Sequence, residues 1–142
     1  MPWKTDLELG EAYQRTLLDI VEYDTFEMAQ GNFKPYDIKI KYKDDTYTVE
    51  VKADRKTKDT GNMVIEYGCN GKPSGITTTE ADYWAYFIDG TTEYFLIPTN
   101  DIRKAIDERK YSRATRGGDG FRADLFLFPA EVFKDFRDFY EK

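Results

Sequence analysis

Two stretches of strict alternation constrain this chain more than any other feature of it. In "YDIKIKYK", residues 36–43, the apolar Ile38, Ile40 and Tyr42 alternate with Asp37, Lys39, Lys41 and Lys43. In "YTVEVKAD", residues 47–54, Tyr47, Val49, Val51 and Ala53 alternate with Thr48, Glu50, Lys52 and Asp54. A period of two belongs to a strand with one buried face and one wetted face. The "KDDT" between them is a turn, so the two runs predict a β-hairpin. With the turn near Asp44–Asp45, residue 37 falls roughly opposite residues 50 to 53. Asp37, Glu50 and Lys52 can therefore meet on the polar face.

The remaining segments supply elements around this hairpin. Residues 6 to about 28 predict a long helix, capped by Asp6, with Leu9, Tyr13, Leu17, Ile20 and Val21 as its apolar stripe. "RKTKDTGN" is expected as a polar loop and "MVIEY" as a third strand. "TTTEADYWAYFI" predicts a threonine-capped short helix running into a strand that ends near Asp89. "EYFLIP" is a strand, and "TNDIRKAIDERK" is a helix capped by Thr99 or Asn100. "YSRATRGGDGFR" is expected as a basic loop, "ADLFLFP" as a last strand, and "AEVFKDFRDFYEK" as a terminal helix with Val132, Phe133, Phe136 and Phe139 or Tyr140 inward. The order is αβββαβ followed by β-α-β-α, an α/β (α+β) three-layer domain with a mixed β-sheet flanked by helices. Its 142 residues suit one domain, 1–142, and 40% apolar residues suffice for a core.

Composition then removes chemistry. The chain has no histidine, so Ser-His-Asp triads, imidazole acid–base catalysis and histidine-ligated metals are excluded. Cys69 is its one cysteine, which excludes an internal disulfide and a multi-cysteine zinc site. Hydrolysis here must rest on carboxylates, lysine, hydroxyls or an oxygen-bound metal. The net charge of −6 argues against a general nucleic-acid binder. Lysine and arginine nonetheless crowd residues 34–58 and 103–116, so a basic groove on an acidic protein is expected. No apolar run approaches a membrane span, and "MPWKTDLELGEAYQ" lacks a signal-peptide core. A soluble, cytoplasmic protein with no membrane partner is the expectation.

Two carboxylates on adjacent strands repel, and a divalent cation with hard oxygen ligands relieves that repulsion. A lysine beside them supplies the positive charge that phosphodiester cleavage needs. "PYD" at 35–37 followed by "EVK" at 50–52, on a hairpin after a long helix, resembles the PD-(D/E)xK nuclease superfamily, over roughly residues 6 to 90. The proline stands one place earlier than in that family's pattern. The resemblance implies a restriction-endonuclease-like fold, Asp37 and Glu50 binding Mg²⁺ (Mn²⁺ substituting) with the backbone carbonyl of Val51, and Lys52 as catalytic lysine. It implies a DNA endonuclease of the compact phage and bacterial kind, leaving 5′-phosphate and 3′-hydroxyl ends. A chain this short favours structure-selective cutting, as in Holliday-junction resolvases, or nicking, and a four-way junction suits a homodimer.

Further candidates surround this set. Similar nucleases often place a glutamate on the first helix; Glu8 and Glu11 share a face, and Glu11 lies nearer the apolar stripe, against the alternative of a solvated acidic first turn. Glu66, in the apolar "MVIEY", either reaches the site or bonds a lysine at the sheet edge. Lys72, Ser74 and Thr77 could contact phosphate, or form an ordinary loop. Arg113 and Arg116, among glycines, suit a DNA-backbone clamp or a solvated loop. Trp84 and Tyr86 belong to the core. The alternative function is a non-catalytic binding module for nucleic acid or a partner on the same fold.

Overall fold

A computed structural model describes residues 6–31, 34–118, 120 and 122–141; the side chain of Asp6, expected as a helix cap, lies outside the described residues. Helix α1 spans Asp6–Ile20. The strands are β1 (Thr25–Met28), β2 (Ile38–Tyr42), β3 (Asp45–Asp54), β4 (Asn62–Cys69), β5 (Lys72–Pro73), β6 (Tyr83–Ile88), β7 (Glu93–Pro98), β8 (Arg113–Gly117), β9 (Ala123–Pro129) and β10 (Arg137–Phe139). Helices α2 (Thr57–Thr60) and α3 (Thr99–Asp107) and 3-10 segments at Gly75–Thr77 and Ala130–Phe136 lie between and after them.

The hairpin forms as its alternation requires. Ile38 pairs with Val49, Ile40 with Tyr47 and Tyr42 with Asp45, around a turn at Lys43–Asp44. It sits inside a six-stranded mixed sheet of order β1-β2-β3-β6-β7-β10. Only β3 and β6 run parallel in it; the other pairs are antiparallel. On one face Leu9, Tyr13 and Leu17 of α1 pack against Ile38, Ile40, Val49, Val51, Ala85 and Phe87. On the other face Trp84, Tyr86, Phe95 and Ile97 meet Met63 and Ile65 of β4, Phe128 of β9 and Ile102 of α3. The layers are thus helix, mixed sheet, and a second sheet with α3.

That second sheet, of order β5-β4-β9-β8, is the main departure from the sequence pattern. The third strand of the chain's expected order, β4, leaves the hairpin and pairs with β9 from Asn62↔Pro129 to Cys69↔Ala123, bulging between Glu66 and Gly68. The basic segment at 113–117, expected as a loop, is β8 and pairs with β9. Three helices also differ. The first ends at Ile20, because Asp24 turns the chain onto β2: its amide donates to the Lys41 carbonyl at 2.7 Å and its carboxylate accepts from the Lys43 amide at 2.6 Å. "TFEM" then pairs as an edge strand.

The expected terminal helix is a 3-10 segment that leaves helical geometry at Phe133, followed by β10 on the free edge of β7. Phe133 is buried there and Tyr140 packs on Phe87 and Tyr94, while Phe139 is exposed. Between β5 and β6 there is a 3-10 turn without a side-chain cap, in place of a threonine-capped helix. Pro98 rather than Thr99 or Asn100 precedes α3, and the Thr99 hydroxyl instead donates to the Ala81 carbonyl at 2.6 Å. The "RKTKDTGN" loop contains the single turn α2.

Candidate active site

The hairpin register carries Asp37 one step past Ile38↔Val49, to the level of Glu50. Alternation puts Ile38 and Val49 under α1 and turns Asp37, Glu50 and Lys52 to the opposite face. Asp37 is buried, and each of its oxygens has a partner. The Val51 amide donates to Oδ2 at 2.8 Å, and Lys34 Nζ lies 3.4 Å from Oδ1. The Asp37 amide donates to the Val49 carbonyl at 3.0 Å, tying the segment to β3 where regular pairing ends. Residues 49 and 51 share an orientation, so the Val51 carbonyl projects toward the same edge of β3 as its amide.

Glu50 is half-buried and bonded to Asp37, and its pKa is pushed up to about 8. Desolvation is the largest cause, followed by the hydrogen bond with Asp37; the Lys52 charge opposes both, the Asp37 charge adds to them, and a hydrogen bond from Thr79 opposes. The neutral form of Glu50 is therefore favoured beside Asp37 in the metal-free protein. The Thr79 hydroxyl approaches Glu50 Oε1 at 3.4 Å and accepts from the Ala81 amide at 3.2 Å. Thr79 is itself held by Arg103, whose guanidinium donates to the carbonyls of Thr79 (2.9 Å) and Ile76 (3.1 Å). Lys52 Nζ stands over the face of Trp84, 5.5 Å from the ring centroid.

A cleft of about 650 Å³ opens from Lys52 between the two sheets. Asp54, Lys56, Glu66, Tyr86, Gly117 and Gly118 line it. Tyr86 bridges the sheets: its hydroxyl donates to Asp54 Oδ2 and accepts from the Val64 amide, both at 2.9 Å. Burial first, then the Asp54 charge, raise the Tyr86 pKa, so the hydroxyl keeps its proton.

Other candidates fare unequally. Glu66 lies in the cleft with Lys52, and its partner is the Ser74 hydroxyl (2.8 Å), not a lysine. Thr77 donates to the Tyr67 carbonyl at 2.9 Å. Ser74 and Thr77 thus commit their single hydroxyl protons, leaving none for a phosphate oxygen. Lys72 is exposed on β5. Glu11 is exposed on α1, which covers the face away from Glu50 and Lys52, so the structure does not bring it to them. Arg113 and Arg116 fall on opposite faces of β8, and Arg116 pairs with Asp124 at 3.2 Å; they do not form one clamp. Sequence reasoning missed Thr79, Arg103 and Lys34. Lys34, three residues before Asp37, and Arg103 were visible only as members of the two basic stretches.

No family model matches the chain, and no curated protein matches it. Among solved structures it is similar to Hjc, a Holliday junction resolvase from the archaeal hyperthermophile Archaeoglobus fulgidus. The TM-score is 0.50 over 89% of this chain and 88% of that one, at 14% identity. The likeness is one of fold: a mixed α+β architecture with a mixed six-stranded sheet. A bacterial homing endonuclease, I-Ssp6803I, is similar over 63% of this chain and 62% of its own, with TM-score 0.44 and 18% identity. On this fold the hairpin strands β2 and β3 bring the two carboxylates together and β6 sets Trp84 beneath Lys52.

Proposed function

We propose that this chain is a Mg²⁺-dependent endonuclease that hydrolyses DNA phosphodiester bonds, with Mn²⁺ able to substitute. The observation that carries the proposal is the placement of buried Asp37 beside half-buried Glu50, with Lys52 on the same strand face. The donor set fits a hard divalent cation. Both side chains offer only oxygen, and a cation between them relieves the repulsion of like charges. Among the described residues no group of three or more His, Cys, Asp and Glu is gathered, so the set would be Asp37, Glu50 and the Val51 carbonyl, completed by water. A bound divalent ion supplies Lewis-acid polarisation and lowers the pKa of coordinated water.

The chain's own residues do the rest. Lys52, held beside the pair by the rigid strand and the Trp84 ring, places a positive charge where the attacked phosphate gathers negative charge. Its ammonium also serves to orient the attacking water, and in its neutral amine form it could accept that water's proton. Thr79 orients Glu50, and the Val51 amide fixes Asp37 so that one oxygen faces the site. The likeness to the junction resolvase's fold favours a branched DNA substrate or simple nicking.

The test is incubation with supercoiled plasmid and a four-way DNA junction, with Mg²⁺, Mn²⁺ or EDTA, beside Lys52→Ala. Metal-dependent cleavage lost in Lys52→Ala is expected. Binding without cleavage in any metal would instead favour a non-catalytic DNA-binding module.

A further inference from the structure

The active face of the six-stranded sheet is closed on one half only. Trp84, Tyr86 and Ile88 of β6 and Phe95 and Ile97 of β7 lie under the second sheet and α3. Among the described residues the β1–β2–β3 half of that face has no such cover. Beyond Asp37, it carries Lys39 and Lys41 on β2, opposite Thr48 and Thr46 on β3, with Glu27 and Thr25 on β1. Lys41 and Thr46 are exposed and Lys39 is half-buried.

We propose that this open half, with Lys39 and Lys41 as its cations, is the track that holds the DNA backbone flanking the cleaved phosphate. The proposal rests on the nuclease reading and adds the route by which the substrate strand leaves the site.

Three observations carry it. First, the lysines are not explained by edge protection, the usual reason for lysine on a wetted strand face. β2 is an interior strand, covered by β1 on one side and β3 on the other. Second, they are not committed elsewhere. Among the described residues neither makes an ion pair; Lys39 lies 5.8 Å over the Tyr36 ring, and Glu27 is the carboxylate that stands opposite it. Thr46 is exposed beside Lys41, whereas the Thr48 hydroxyl is bonded to Asp82. Third, the spacing fits. Same-face residues of a strand stand about 7 Å apart, which sets Lys39 and Lys41 roughly 7 and 13 Å from Asp37. A duplex advances about 3.4 Å along its axis per nucleotide, so both lysines fall within a few nucleotides of the cut.

The experiment measures binding of a labelled four-way junction and of the matching duplex by fluorescence anisotropy, between roughly 50 and 200 mM salt, a range over which phosphate contacts weaken steeply. Cleavage is silenced with Lys52→Ala so that affinity alone is read. Lys39→Gln/Lys41→Gln in that background should weaken binding at least tenfold at low salt. It should also lower the slope of log affinity against log salt by about 2, at ~0.9 per phosphate contact. Single Lys41→Gln, at an exposed position, should lower it by about 1. Lys134→Gln, outside this face, should leave it unchanged. With Lys52 intact, the double variant should raise KM for the junction and keep kcat. A double variant that stays folded by circular dichroism and keeps both slope and affinity overturns the track while cleavage by the native chain leaves the nuclease reading standing. If the native chain neither binds nor cleaves DNA, both fall together.

Discussion

Glu50→Gln isolates the carboxyl pair on which the site rests. In the metal-free protein the Glu50 pKa is pushed up to about 8 from an ordinary 4.5, by desolvation first and the Asp37 bond second. A raised carboxyl pKa means the folded state prefers the protonated form. The stabilisation is fully present below the unfolded value near 4.5 and is lost as pH rises through about 8. At ~1.4 kcal/mol for each pKa unit, a displacement of this size amounts to roughly 4–5 kcal/mol. Glu50 is only partly buried and Lys52 relieves some of its charge, so about 2–4 kcal/mol is the expected effect. Glutamine keeps the shape and the neutral state: it can donate to Asp37 and accept from Thr79 at every pH. Urea unfolding in EDTA should therefore find Glu50→Gln close to native stability at pH 5 and more stable by about 2–4 kcal/mol at pH 9. Millimolar Mg²⁺ should reverse the order at pH 8, because a ligand bound only by the native fold raises its stability. The global charge is nearly the same in both proteins and cancels in the difference. A Glu50→Gln variant no more stable than the native chain at pH 9 in EDTA would refute the pairing, for it would mean that Glu50 ionises in water.

Two further substitutions probe the supports of the site. Tyr86→Phe removes the hydroxyl that joins β6 to Asp54 and to the Val64 amide, leaving a buried donor and a carboxylate oxygen without it. The expected loss is about 1–3 kcal/mol by urea denaturation, and a loss below ~0.5 would deny the bridge. Gly75→Ala places a methyl at a φ of +55 and into the Glu66 backbone carbonyl. Left-handed strain alone costs about 1–2 kcal/mol. With the clash, thermal melting should show a large drop, and a melting point within a degree or two of native would contradict the packing of the 3-10 turn on β4.

What was legible followed from locality. Asp37, Glu50 and Lys52 lie on two strands joined by a two-residue turn, so period and turn position alone set their faces and register. The second sheet had no such signal. β4 pairs with β9 across a long stretch of chain, and an apolar run such as "MVIEY" fits either sheet equally. The roles of Thr79 and Arg103 were invisible for the same reason: their value lies in backbone carbonyls and a carboxylate that only the tertiary fold brings near. The terminal segment misled through composition. Phenylalanines at positions 133, 136 and 139 satisfy a helical stripe, yet the unpaired edge of β7 claims residues 137–139 as a strand.

The division of the active face into covered and open halves follows from the same alternation that marks the hairpin. β6 reads "YWAYFI" and is buried on both faces from Trp84 to Ile88, as a strand sandwiched between layers must be. β2 and β3 are apolar on one face only, so packing a layer on the other would desolvate the charges of Lys39, Lys41, Glu50 and Lys52. The boundary between the two patterns falls between β3 and β6, where Lys52 stands beside Trp84 and Glu50 meets Thr79. A carboxyl placed there is desolvated on one side and open to substrate on the other, which raises its pKa in the free protein and leaves it accessible to a cation. The position of the candidate site is thus a consequence of where the sheet changes from two apolar faces to one.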